Sequence, residues 1–98
     1  MTDDWQCLDQ ARGGDETAWR ILFVRYYRTL VRMTSFITGS LDSAEDIAQE
    51  AFVNLLRVEI RHRKGSFKSF LTTIAYRLAL KERKRQKRRA EAECSLRC

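Results

Sequence analysis

Not one proline occurs among the 98 residues of this chain, and only four glycines do. These two residues punctuate a fold, and average usage of roughly 5% would predict about five prolines alone. A sandwich or barrel needs a turn signal roughly every 8–12 residues. The chain has too few such signals, and a small number of long helices is what remains. Hydrophobic residues at 44% against 33% charged are enough for a modest core. No run approaches the ~18 apolar residues of a membrane span. The start, Thr2-Asp3-Asp4, is acidic where a secretory signal is basic. The expectation is one soluble, cytoplasmic, all-α domain with no membrane insertion.

Apolar residues at spacings of three and four mark four helices. Asp3 or Thr2 is placed to cap the first, near 3–12, with Trp5, Leu8 and Ala11 on one face and Gly13-Gly14 as its stop. Asp15 is placed to cap the second, near 15–38. Its stripe is Trp19, Leu22, Phe23, Tyr26, Leu30, Met33 and Ile37, and Gly39 ends it. Asp42 with Glu45, or Ser43 with Asp46, resembles a capping box for a third helix near 43–58. Ala44, Ile47, Ala48, Ala51, Phe52, Leu55 and Leu56 should face inward there. A basic connector follows, and Ser66 is placed to cap a fourth helix over 66–89. Phe67, Phe70, Leu71, Ile74 and Leu78 should line its inner side. Beyond Lys81 there is no apolar stripe, so the end of this helix should project from the core.

Charge is divided unevenly. Residues 1–60 hold six Arg, no Lys and ten acids, a balance of −4; residues 61–98 hold thirteen Lys/Arg and three Glu, a balance of +10. That asymmetry points to a polyanion at one end and a basic partner at the other. Catalytic signatures are missing: there is no Gly-rich phosphate loop, no HExxH and no GxSxG. No enzyme and no cofactor are expected. Cys7, Cys94 and Cys98 are too few and too scattered for a disulfide framework. With His62 the only histidine, Cys94-Ser-Leu-Arg-Cys98 does not make a closed four-ligand zinc site.

Two surfaces stand out. On the outer side of the third helix lie Asp46, Gln49 and Glu50, with Asn54 and Arg57 further along. Asp46 and Glu50 are like charges at i and i+4, which mildly disfavours an isolated helix. The helix dipole accounts for Asp46 but fades before Glu50. A docking face for a basic partner explains both. The second surface comprises the connector Arg61, His62, Arg63 and Lys64, then Ser66, Phe67, Lys68, Phe70, Thr73, Arg77, Lys81, Lys84 and Arg85. Its cations are suited to phosphates, while aromatic and small polar groups are suited to exposed bases. Core packing is the competing reading for Phe67 and Phe70, and a solvated arm for Lys81–Arg89.

Three blocks carry a resemblance: Gly14-Asp-Glu-Thr-Ala-Trp19, Asp42-Ser-Ala-Glu-Asp-Ile-Ala-Gln-Glu-Ala-Phe52 and Gly65-Ser-Phe-Lys-Ser-Phe-Leu-Thr-Thr-Ile-Ala75. In this order they resemble region 2 of bacterial RNA polymerase sigma factors, most closely the small extracytoplasmic-function class. The resemblance covers about residues 3–89. It implies that the third helix docks on the clamp helices of the polymerase largest subunit. It also implies that the fourth helix and its preceding loop hold the −10 promoter element, capturing a non-template base as the strands open. Asp46, Gln49 and Glu50 fall on the family's core-binding motif, and 61–66 with the fourth-helix face fall on its promoter-reading surface. Association with the nucleoid in the holoenzyme, and an anti-sigma factor as a further partner, fit the same picture.

Three departures bear on the preferred −10 sequence. Phe70 stands where the family usually has Trp, Arg77 stands where this class often has Asn, and the connector is short and basic. The helix-turn-helix domain that reads the −35 element in the family is absent from these 98 residues. The expected organisation is therefore a region 2-like domain over 1–90, with 91–98 a tail or the start of a linker. Two other function classes remain: a basic helical nucleic-acid adaptor independent of polymerase, and a protein-binding module whose arm grips an acidic partner.

Overall fold

A computed structural model describes residues 3–60 and 65–97. Four helices follow one another: α1 (Asp4–Arg12), α2 (Glu16–Thr38), α3 (Leu41–Arg57) and α4 (Phe67–Arg97). No strand occurs among the described residues. The expected all-α bundle with a long basic final helix is the observed architecture. Each boundary has a local cause. Asp15 caps α2 by accepting from the backbone N–H groups of Thr17 and Ala18 at 3.0 and 3.2 Å. Gly39 ends it in the left-handed region, at φ 69°, where a side chain would be strained. The cap of α3 is Ser40, whose hydroxyl accepts from Ser43 N–H at 3.2 Å, so this helix begins earlier than the acidic cluster suggested. Ser66 starts α4, accepting from Ser69 N–H at 3.1 Å.

The second helix runs through the middle of the bundle, packing against α1, α3 and α4. Leu8, Leu22, Leu30, Phe52, Leu55 and Leu71 are fully enclosed. Each such side chain contributes about 1.5–3 kcal/mol of burial free energy. Ala44, Ala48, Ala51, Ala75 and Ala79 are also buried, and their small size lets α3 and α4 approach their neighbours closely. Leu56, expected inside, is 42% exposed; it lies on the outer edge of α3, one position past the last core leucine. Thr34 is the one buried polar side chain among the described residues. Its hydroxyl bonds the Leu30 carbonyl at 2.7 Å and lies 3.3 Å from the Ala44 carbonyl, tying α2 to the start of α3.

Among the described residues, Ala79 is the last buried one on α4. From there to Arg97 the helix projects for roughly 27 Å at 1.5 Å per residue, which accounts for the molecule's long axis of 59 Å against 25 and 21 Å across. No described helix is long and apolar enough to cross a membrane.

Candidate docking face and nucleic-acid stripe

Two adjoining helices carry opposite charge outward. On α3 the inward positions Ala44, Ile47, Ala48, Ala51, Phe52 and Leu55 are buried, which turns Asp46, Gln49 and Glu50 to solvent. Asn54 is half-buried at the edge of this face. Neither Asp46 nor Glu50 has an ion-pair partner among the described residues. Val53 is 40% exposed and projects between the polar positions, as 3.6 residues per turn requires. With Leu56 beside it, the acidic face has an apolar middle. Interfaces of this kind place desolvated anchors at the centre and charge around them. Periodicity assigned Leu56 to the core and passed over Val53, because an apolar residue at a helix margin satisfies either side.

Phe70, Thr73, Arg77, Lys81, Lys84 and Arg88 share one face of α4, at spacings of three and four. Near its start the face forms a shallow groove of about 330 Å³ over Ser69, Phe70, Thr73, Ile74 and Arg77. Phe70 and Ile74 give that groove an apolar wall, while Ser69, Thr73 and Arg77 give it a polar rim. The Thr73 hydroxyl donates to the Ser69 carbonyl at 2.7 Å, so toward a ligand its oxygen acts as an acceptor. An unstacked base needs such a combination of apolar wall and polar edge.

Two expected contacts stand elsewhere. Phe67 is 3% exposed, edge-to-face with Trp5 at 5.2 Å and beside Tyr26, so it holds α4 in the core and cannot touch a base. Lys68 is exposed but lies roughly 160° around the helix from Phe70 at 3.6 residues per turn. Arg85 stays exposed at the edge of the stripe, with a surface ion pair to Glu82 at 3.3 Å. Ser66 is exposed, and its hydroxyl serves the helix start, donating to Ser69 Oγ at 2.9 Å as well as accepting from Ser69 N–H. Arg61, His62, Arg63 and Lys64 lie outside the described residues.

A contributor that composition and motif reading passed over is Trp5 on α1. Its ring packs on Phe67 and on Phe70 at 5.2 and 5.5 Å, and its indole N–H points at the Gly65 carbonyl across a long 3.5 Å. Gly65 has φ of 83°, which glycine adopts without strain. Trp5 therefore fixes both the exit of the connector and the wall of the groove. Only its place at the start of an amphipathic helix was visible in sequence.

The two surfaces meet. A concavity of about 420 Å³ opens between Ile47 and Glu50 of α3 and Leu78, Lys81, Glu82, Lys84, Arg85 and Arg88 of α4, four cations against one further carboxylate. Glu50 thus stands at the seam, facing the cationic stripe, whereas Asp46 lies one turn away. Among the described residues no cluster of three or more His, Cys, Asp or Glu is placed to hold a metal ion.

Residues 22–89 match the family described as sigma-70 region 2, which takes in most of α2, all of α3, the connector and α4 from its start to Arg89. No curated protein and no solved structure matches the chain.

Proposed function

Because the chain belongs to the sigma-70 region 2 family, whose domains are non-enzymatic initiation factors that bind core RNA polymerase and recognise the −10 promoter element, we propose that it performs both tasks on separate helices. The outer face of α3 docks on the clamp helices of the polymerase largest subunit through Asp46, Gln49 and Glu50, with Asn54 at the edge. The stripe from Phe70 to Lys84 holds single-stranded non-template DNA of the −10 region, with the connector 61–64 alongside. We assign it to the extracytoplasmic-function class on its three motif blocks, with an anti-sigma factor as a further partner in the cytoplasm.

The observation that carries this reading is the juxtaposition of an acidic, apolar-centred helix face and a cationic stripe with a shallow, apolar-walled groove on neighbouring helices. A basic protein helix suits the first surface and a polyanion the second. Promoter strand capture and polymerase docking can then proceed together without competing for one surface.

The test is affinity for core polymerase. Asp46→Arg should weaken binding by several kcal/mol if the carboxylate is desolvated at the interface, with circular dichroism confirming the fold. Wild-type affinity in the folded variant would sink the docking assignment. Duplex DNA binding with no affinity for polymerase would favour the independent adaptor instead.

A further inference from the structure

The docking face and the DNA stripe leave one charged surface unused. On α2 the inward side packs on α1, α3 and α4, while Arg20, Ile21, Val24, Arg28 and Arg32 all face solvent. At 3.6 residues per turn these five fall within an arc of roughly 120° and extend about 18 Å along the helix. Val24 at the centre is 73% exposed and Ile21 is 41% exposed, and an open depression runs between them and the flanking arginines Arg20 and Arg25. The helix carries four arginines against a single acid, Glu16. Arg25 is ion-paired with Asp4, whereas Arg20, Arg28 and Arg32 have no ion pair among the described residues. The net charge of residues 1–60 hides this cationic face, because ten acids spread over that half outnumber its six arginines.

We propose that the outer face of α2 is a docking surface for an acidic amphipathic helix of a partner protein. Charge complementarity selects the occupant. Arginine presents a planar fork that matches a carboxylate in bidentate fashion. Arg20 and Arg28 are eight residues apart, about 12 Å, and so meet carboxylates separated by two turns of a partner helix. Between them Ile21 and Val24 offer the aliphatic contact that a partner's i and i+3 or i+4 side chains cover. Nucleic acid fits less well, since single strands stack on aromatic rings and the centre of this stripe is aliphatic. An anionic membrane fits less well too, because two aliphatic residues are too narrow an apolar face to insert.

The probe is a synthetic helical peptide of about 20 residues, with leucines at helical spacing flanked by glutamates, titrated against the whole chain by fluorescence anisotropy. Its twin carries glutamine at each glutamate. The acidic peptide should bind saturably, and the twin roughly tenfold more weakly. Arg28→Glu and Val24→Asp, both at exposed positions, should each cost about tenfold, with far-UV circular dichroism unchanged. Lys84→Gln on α4 should leave the affinity as it is. The proposal is overturned by absent or non-saturable binding, by equal binding of the twin, or by a signal that follows Lys84→Gln instead of Arg28→Glu. It is equally overturned if Arg28→Glu abolishes binding of a single-stranded oligonucleotide, or of phosphatidylserine vesicles, while peptide binding persists.

Discussion

Asp4, the first residue of α1, accepts hydrogen bonds from both Arg25 and Tyr26 of α2, pinning the short helix to the long one. Burial first, and then the Asp4 carboxylate, pushes the Tyr26 phenol from 10.0 up to about 12. The folded state therefore favours the neutral phenol. Its contribution is fully present below pH 10 and is lost as pH rises through 10 toward about 12. Tyr26→Phe should flatten that part of the alkaline fall in thermal midpoint; parallel curves for variant and parent would show that Tyr26 plays no part. Trp5 acts at the same scale but on the site. Trp5→Phe retains a ring against Phe67 while removing the indole N–H that points at Gly65. Folding stability should fall by about 1 kcal/mol, and backbone amides over Ser66–Phe70 should exchange faster. Unchanged exchange would reduce Trp5 to a packing residue.

Among the elements, α4 divides its work between one end and the other. Phosphate contacts lower log K against log salt by about 0.7 per contact on a single strand, so Lys81→Gln and Lys84→Gln should each flatten the slope while weakening matched and mismatched −10 strands alike. Phe70→Ala, at the groove, should instead alter discrimination at nearly constant slope. Identical behaviour of the two sets in fluorescence anisotropy would make the stripe an electrostatic patch with no base reading. The same helix shows what sequence makes legible. Glycine stops, the Asp15 cap and the three-four spacing of large apolar residues place α1, α2 and the core of α3, because each is a local signal. The start of α3 was displaced because Ser40 outcompetes the acidic residues for the cap. The end of α4 runs to Arg97 since Ala90–Glu93 continues the helix where the basic run stops. Phe67 resisted assignment for a different reason: at the first turn, only tertiary packing against Trp5 and Tyr26 decides whether a ring faces a ligand or the core.

Over the whole molecule, the seam at Glu50 links the two surfaces. Asp46 and Glu50 both belong to the proposed docking face, yet only Glu50 borders the concavity, where Lys81, Lys84, Arg85 and Arg88 outnumber Glu82. A carboxylate there opposes a nearby phosphate, and reversing it removes that repulsion and adds an attraction. In water two unit charges about 8 Å apart interact by roughly 0.5 kcal/mol, so reversal is worth about 1 kcal/mol at low salt. Glu50→Arg should therefore raise affinity for a single-stranded oligonucleotide by roughly fivefold, an effect that fades as the Debye length shrinks toward about 8 Å at physiological ionic strength. Asp46→Arg, a further turn or about 6 Å away, should raise it far less. Both variants should lose core polymerase, so the pair separates docking from field effects: one measurement falls in common while the other diverges. Equal gains in oligonucleotide affinity would mean that only net charge matters. No gain in either would mean that the strand runs along the Phe70–Arg77 groove and leaves the stripe before it reaches Glu50.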